Sequence, residues 1–161
     1  MLWEDRVNPA GSCLYDLVLA LWVGGISIFT FVVTPAIFRS FNRDMAGQIV
    51  GKLFPGYFLY NLVLSLLALG LLLIGSHASD VRYRLSLLLT VGAIVINLFV
   101  AFRLHPEIKA VKEAIHSFEN SPPESPLRKK FTLLHAVSAT LNLIVLADGV
   151  VLLLIRTGLK K

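Results

Sequence analysis

The sequence predicts an all-α protein built as a bundle of four transmembrane helices. Of its 161 residues, 56% are hydrophobic and only 16% are charged, a composition too apolar for a typical soluble domain. The clearest element is the 25-residue run from Phe131 to Ile155, which contains only two ionisable groups, His135 and Asp148. At about 1.5 Å per residue, a helix of that length crosses the hydrocarbon core of a bilayer. Three more apolar runs precede it, so we expect one integral membrane domain over residues 1–161.

The first of the predicted spans carries the residues that we assign to helix packing. The spans are expected at about residues 14–38, 57–75, 85–104 and 131–155. In the first, Trp22 is followed by Gly24 and Gly25, and small residues let a neighbouring helix approach closely. Pro35, near the end of this span, is expected to kink or end the helix. A packing groove is the favoured interpretation, and a ligand slot is the alternative.

The first connection is predicted to contain a short amphipathic helix. Apolar side chains recur every four residues at Met45, Ile49 and Leu53, with polar residues between them, which is the spacing of one helix face. Such a segment can lie in the membrane interface. We expect the Pro55-Gly56 pair to break it from the second span.

The third connection is predicted to contain a second amphipathic helix. Beyond Pro106, apolar residues follow a 3, 4, 3 spacing from Ile108 to Phe118, so this segment could be a bent continuation of the third span. Ser125 followed by Pro126 is typical of a helix N-cap and its first turn. The fourth helix is therefore expected to begin before the membrane does.

The cations indicate a membrane topology. The net charge is +5, and nine of the 15 Lys and Arg residues lie in the first and third connections. They flank apolar segments, where they serve topology and headgroup contact, so we expect the lipid bilayer as partner and no nucleic acid. The positive-inside rule places the first and third connections in the cytoplasm. The single cysteine, Cys13, cannot form an internal disulfide.

Short motifs spread over nearly the whole chain resemble those of a known family. The matching pieces are Leu21–Gly25, Val33–Phe38, Ala46-Gly47, Gly51–Pro55, Asn97, His105–Ile108 and Phe131–Leu143. On these pieces the chain resembles the transmembrane protein 205-like family, small four-span membrane proteins known in bacteria mainly as a domain of unknown function. The resemblance implies a four-span fold and a bacterial inner-membrane location, and it implies no reaction.

A more distant similarity is to copper-resistance D-type membrane proteins and membrane haem-pathway oxidases, which carry a tryptophan-glycine pattern in the first span. Those families use a histidine early in that span. Here Tyr15 and Asp16 occupy that neighbourhood, and no histidine precedes His77. The difference argues against transferring copper or haem ligation to the first helix.

Two histidines are candidates for cofactor binding. The third and fourth helices are expected to run antiparallel, which would place His105 and His135 at similar depth. Two imidazoles from neighbouring helices can ligate a haem or, together with Glu107 and water, a transition metal. The alternative is that both are hydrogen-bonded interfacial histidines with no cofactor.

A polar stripe is predicted to run inward from His135. Ser138 and Asn142 lie within about 60° of His135 on the fourth helix, and Asn97 on the third helix should reach the depth of Asn142. The two asparagines could hydrogen-bond across the helix pair. The stripe either stabilises the packing of the helices through hydrogen bonds or forms a polar cleft that admits a small ligand or ion.

Asp148 is a separate candidate, for a proton or cation site. It lies thirteen residues from His135, about 20 Å along a helix axis, so the two cannot share one site. A carboxylate at bilayer depth costs about 2.5–3.5 kcal/mol on insertion scales, and Asp148 therefore needs a partner. The candidate partners are Arg82, Arg84, Tyr15 and Trp22, and a purely structural hydrogen bond is the alternative role.

Three functions remain open from the sequence. The first is a non-enzymatic membrane protein that binds or passes a small ligand, metal ion or proton in a polar cleft between the third and fourth helices. The second is a haem-binding redox enzyme that uses His105 and His135. The third is a structural or assembly subunit. The sequence contains no phosphate-binding glycine loop, CxxC or HExxH motif, so no residue is assigned a catalytic role. Homo-oligomerisation is compatible with the sequence, which does not set a number of copies.

Overall fold

Four long helices, each long and apolar enough to cross a membrane, make up the protein. The computed structural model describes residues 9–74 and 81–158. The helices span Ala10–Ser40, Arg43–Ile74, Val81–Ile115 and Pro126–Thr157, and we call them the first to fourth helix. The described ranges contain no strand. The predicted fold class, an all-α four-helix transmembrane bundle, is confirmed.

The first and third helices each contain one π-helical turn that ends two residues before a proline. In the first helix, α-helix Pro9–Ile28 is followed by a π-helical turn at Phe29–Val33 and by α-helix Thr34–Ser40. Proline lacks an N–H and crowds the carbonyl of the preceding turn. The wider π turn relieves that crowding ahead of Pro35, so the helix continues to Ser40.

The third helix repeats this arrangement. α-Helix Val81–Phe99 leads into a π-helical turn at Val100–Leu104, and α-helix His105–Ile115 carries Pro106 in its first turn. The amphipathic segment expected in the third connection is therefore a continuation of the third span. This helix ends at Ile115, and the residue that follows, His116, has a φ of 61°.

The second helix passes through Pro55, and the expected break at Pro55-Gly56 is wrong. One α-helix runs from Arg43 to Ile74, with Asn42 Oδ1 accepting from the Met45 N–H at 2.9 Å as its N-cap. Its buried face continues on both sides of the proline, from Ala46 through Tyr57 to Ala68. Packing of that face outweighs the roughly 3 kcal/mol that an interior proline costs. The first amphipathic segment is thus the beginning of the second helix, and residue 75, its expected last residue, lies outside the described ranges.

The bundle closes on itself around an apolar core. Each helix packs against the next, and the fourth packs against the first. Fully buried side chains from all four helices form the centre: Leu19, Trp22, Ile26, Ala68, Ala93 and Leu152. The fourth helix begins as predicted, because Ser125 Oγ accepts from the Arg128 N–H at 3.3 Å.

The first and third connections are tied together by one carboxylate. Asp44, in the first turn of the second helix, accepts from the Phe118 N–H and from Ser117 Oγ, both at 2.7 Å. Arg128 Nη1 donates to the carbonyls of Phe118 at 3.1 Å and Ser121 at 2.6 Å. We call these residues the collar: Asp44, Ser117, Phe118, Ser121 and Arg128. The collar fixes the third connection against the end of the second helix.

Candidate functional site

A cleft of about 120 Å³ lies between the four helices, in the half of the bundle nearer the collar. Two groups of side chains face each other across it. Its aromatic wall, from the first and second helices, consists of Phe29, Phe54, Tyr57 and Phe58. Its polar groups come from the first, third and fourth helices and are Thr30, Thr34, Asn97, His135, Ser138 and Asn142. All four residues of the predicted polar stripe therefore line one cleft.

The aromatic wall is a continuous set of ring contacts. Phe29, on the π turn of the first helix, stacks on Tyr57 with ring centroids 4.2 Å apart and an interplanar angle of 19°. Phe54 stacks on Phe58 at 5.5 Å and 8°. Phe29 and Phe54 are 5.9 Å apart and join the two pairs. Stacked and tilted rings hold each other in place, so the wall is a preformed surface.

Asn142 joins three helices on the polar side. Its Oδ1 accepts a short hydrogen bond from the Tyr57 hydroxyl, and its Nδ2 donates to Thr30 Oγ1 at 2.9 Å. The bond expected between Asn97 and Asn142 is replaced by these two contacts. The third helix therefore contributes its asparagine to the cleft without a hydrogen bond to the fourth helix.

Asn97 is buried without a complete set of partners. It is 8% exposed, and its Nδ2 has no hydrogen-bond partner within residues 9–74 and 81–158. Leaving a buried amide donor unsatisfied costs about 1–3 kcal/mol. Buried polar groups in native proteins are nearly always satisfied by protein, water or ligand, so the Asn97 amide is a candidate binding group in the cleft.

The two candidate histidines take different positions. His135 lines the cleft and lies parallel to the Phe131 ring, with 5.8 Å between centroids. His105 is half-buried and meets Phe54 and Phe58 edge-on at 5.5 and 5.3 Å, so it supports the aromatic wall from outside the lining.

The third member of the predicted metal set is engaged elsewhere. Lys130 Nζ lies 2.9 Å from Glu107 Oε1. In the part of the chain that the structure describes, no group of three or more His, Cys, Asp or Glu side chains is placed to hold a metal ion. A metal or haem role for His105, Glu107 and His135 stays a prediction.

Of the residues predicted for helix packing, Trp22 is in the core and Gly25 lies against the second helix. Trp22 is fully buried. Gly25 faces the Tyr60 ring so closely that a Cβ there would lie 2.6 Å from the Tyr60 hydroxyl oxygen, whereas a Cβ at Gly24 would meet nothing within 4 Å. Tyr60 also donates a hydrogen bond to the Leu21 carbonyl at 2.5 Å. The closest approach at the glycine pair is thus made by a tyrosine ring.

At the other end of the bundle, the main polar contact links the two ends of the chain. Arg156 Nε lies 2.8 Å from Asp16 Oδ1, and Arg156 is only 7% exposed. Asp148 is half-buried, and neither a hydrogen bond nor an ion pair joins it to another residue of the described ranges. Its proposed proton or cation role stays a prediction.

Sequence reasoning missed Tyr57, Thr30 and the ion pair. The signal for Tyr57 is its spacing of four residues from Asn61, which puts both on one buried face. Asp16 and Arg156 could have been paired, because an even number of spans puts both ends of the chain on one membrane side. In the sequence, the π turn that carries Thr30 is signalled only by the proline that follows it.

Comparisons with known proteins support a bacterial family whose function is unknown. An uncharacterised protein of Aquifex aeolicus (strain VF5) is 29% identical over 142 residues, which cover 86% of this chain and 92% of that protein. No solved structure matches the chain. A family described as a domain of unknown function, DUF4149, matches residues 17–117, which include the aromatic wall, Thr30 and Asn97. The chain therefore belongs to the DUF4149 family of membrane proteins.

Proposed function

We propose that this protein binds a small uncharged ligand within the membrane, in the cleft between its four helices. The observation that carries the proposal is Asn97, a buried amide with an unpartnered Nδ2 in the lining of a cleft. Tyr57, Asn142 and Thr30 hydrogen-bond to one another. Asn97 is therefore the polar group whose missing hydrogen bond a ligand would supply.

The composition of the lining favours a neutral ligand. None of the lining residues is Asp, Glu, Lys or Arg. A charged ligand would lose its hydration without meeting an opposite charge, which is far more costly than burying a neutral polar group. The ordered ion pairs of the described chain involve residues outside the lining.

The volume of the cleft limits the size of the bound group. An apolar cavity of about 150 Å³ accommodates benzene, so a cleft of about 120 Å³ holds roughly one ring. Sites for drug-sized ligands occupy about 300–1,000 Å³, and a haem is of that larger class. The geometry therefore favours the ligand-binding hypothesis over the haem-enzyme hypothesis. A Soret band that disappears in His135→Ala would reverse this preference.

The proposal can be tested with 4-fluoroacetophenone, a neutral ring with one carbonyl. Ala139 lines the cleft and is exposed on the fourth helix, so Ala139→Trp should fill the cleft with little strain. Ala147 is exposed on the same helix outside the lining, and Ala147→Trp is the matched control. In fluorine NMR of the protein in nanodiscs, we expect a bound signal for the wild type and Ala147→Trp and none for Ala139→Trp. Equal signals in both variants, or no bound signal in the wild type, would contradict the proposal.

We also propose that the protein resides in a bacterial inner membrane, with the first and third connections in the cytoplasm and the transmembrane protein 205-like proteins as relatives. The distribution of Lys and Arg supports this orientation. In a Cys13→Ser background, Glu124→Cys should be labelled by a membrane-impermeant maleimide only after cells are opened. Val81, 76% exposed at the start of the third helix, should give a Val81→Cys variant that labels in intact cells. The reverse pattern would invert the topology.

A further inference from the structure

Each polar group of the cleft can both donate and accept a hydrogen bond. The Asn97 amide has an NH₂ and a carbonyl, the Thr30 and Ser138 hydroxyls rotate, and the His135 imidazole has one nitrogen of each kind when neutral. Thr30 Oγ1 already accepts from Asn142, so Asn97, Ser138 and His135 are the groups that remain for a ligand. The cleft can therefore bind oxygen atoms in either of two states, as carbonyls or as hydroxyls.

The opposite side of the cleft suits a flat ring. Phe29, Phe54 and Phe58 offer hydrocarbon surface with their ring contacts already formed. Aromatic side chains pack well against planar groups through offset or edge contacts. With room for about one ring, the cleft combines a planar apolar surface with polar groups that tolerate both forms of a ring oxygen.

The cleft also reaches the outer surface of the bundle. Two of its lining residues, His135 and Ala139, are exposed on the fourth helix. That helix is of membrane-spanning length and has the smallest buried share of the four spans. A ligand dissolved in the bilayer could thus enter sideways and leave a hydrocarbon tail in the lipid, since the cleft has no volume for a tail.

From these three features we infer that the cleft binds the head group of a quinone-class lipid, in its quinone form and in its quinol form. This inference rests on the proposed function and names its ligand class. Both forms are neutral, planar and one ring in size. The quinone carbonyls accept from Asn97 or Ser138, and the quinol hydroxyls donate to the same groups. The inference concerns binding alone and includes no electron transfer.

The experiment measures retention of decylubiquinone and decylubiquinol by the protein in nanodiscs, with empty nanodiscs as the baseline and extraction followed by chromatography as the readout. Decylbenzene, which has the ring and tail without oxygen, is the comparison ligand. We expect both quinone forms to bind at least about tenfold more tightly than decylbenzene. This difference in affinity corresponds to about one net hydrogen bond. Asn97→Leu should abolish that preference for both forms, and Ser138→Ala should reduce it.

Ser65→Ala is the control variant. Ser65 is buried, its hydroxyl donates to the Leu62 carbonyl, and it does not line the cleft, so the quinone preference should persist. If 4-fluoroacetophenone binds and decylubiquinone does not exceed decylbenzene, the quinone inference is overturned and the proposed function stands. If neither ligand binds, both fail. Should Asn97→Leu not fold, an unchanged preference in Ser138→Ala would overturn the inference.

Discussion

The Tyr57 hydroxyl donates a hydrogen bond to Oδ1 of Asn142, and this contact joins the second and fourth helices inside the bundle. Tyr57→Phe keeps the ring and its stacking on Phe29, but it leaves the amide oxygen without this donor. Side-chain hydrogen bonds between membrane helices contribute about 0.6–2 kcal/mol, so we expect the free energy of unfolding to fall by that amount. Equilibrium unfolding in mixed micelles would measure it.

Tyr83→Phe is the matched control for this measurement. Tyr83 is half-buried, and its hydroxyl makes no hydrogen bond within the described ranges, so the free energy of unfolding should change by less than about 0.5 kcal/mol. Equal losses in Tyr57→Phe and Tyr83→Phe would show that the bond to Asn142 contributes nothing to stability.

The adjacent glycines of the first helix should respond differently to alanine. A methyl group at Gly25 would lie 2.6 Å from the Tyr60 hydroxyl oxygen, so Gly25→Ala must displace the tyrosine from the Leu21 carbonyl. Overpacking of this kind costs about 1–3 kcal/mol. A methyl group at Gly24 meets open space, so Gly24→Ala should leave stability unchanged or raise it by up to about 1 kcal/mol through helix propensity. Thermal unfolding of the two variants side by side tests this difference.

Combining Gly25→Ala with Tyr60→Ala identifies the source of the loss. Removal of the tyrosine ring also removes the clash, so the second substitution should cost less in the Gly25→Ala background than in the wild type. Independent, additive losses would mean that Gly25 is constrained by something other than Tyr60.

The ion pair between Asp16 and Arg156 should stabilise the end of the bundle opposite the collar. Because the Arg156 side chain is almost fully buried while a third of Asp16 is exposed, Asp16→Leu leaves a buried cation beside a partly hydrated site. Breaking a buried pair costs up to about 3–5 kcal/mol. We expect the free energy of unfolding to fall by an amount within that range, and to fall less in Asp16→Leu/Arg156→Leu, which removes both charges.

Unfolding free energies for the two single variants and the double variant form the required double-mutant cycle. A double variant as unstable as the sum of the singles would exclude coupling.

The collar depends on Asp44. Asp44→Ala removes the acceptor of the Phe118 N–H and of the Ser117 hydroxyl, and hydrogen bonds to a charged group are stronger than those between neutral groups. We therefore expect the Phe118 amide to exchange its proton at least about tenfold faster, as measured by hydrogen-deuterium exchange with mass spectrometry.

Glu124→Gln is the comparison for the collar. Glu124 pairs with Lys129 at 2.8 Å in an exposed ion pair, and exposed pairs contribute little to stability. Exchange at Phe118 should stay as in the wild type. Unchanged exchange in Asp44→Ala as well would mean that the third connection is held without the carboxylate.

The four spans were predictable because a long apolar run has one stable arrangement in a bilayer, a helix that satisfies its own backbone. The helix ends were less predictable. Proline usually ends or kinks a helix, but at Pro55 tertiary packing outweighs this local preference. The face from Ala46 to Ala68 is buried only when the first and third helices lie beside it.

The polar half of the cleft was visible in the sequence, and the aromatic half was not. His135, Ser138 and Asn142 stand out because polar residues are rare in an apolar run. Phe29, Phe54 and Phe58 are indistinguishable in sequence from lipid-facing phenylalanines. Their role depends on the rotation of the first and second helices, which no local pattern determines.

The two π-helical turns affect how sequences in this family can be compared. A π turn accommodates one residue more than a regular helix, so the segments before and after it keep their facing. Loss of one residue within Phe29–Val33 or Val100–Leu104 would convert the turn to α-helix without rotating the flanking spans. The same loss in the uninterrupted second helix would rotate everything beyond it by about 100°. One-residue gaps in alignments of relatives should therefore concentrate at these two turns, and a relative with such a gap at Phe29–Val33 would present a different cleft on the same bundle.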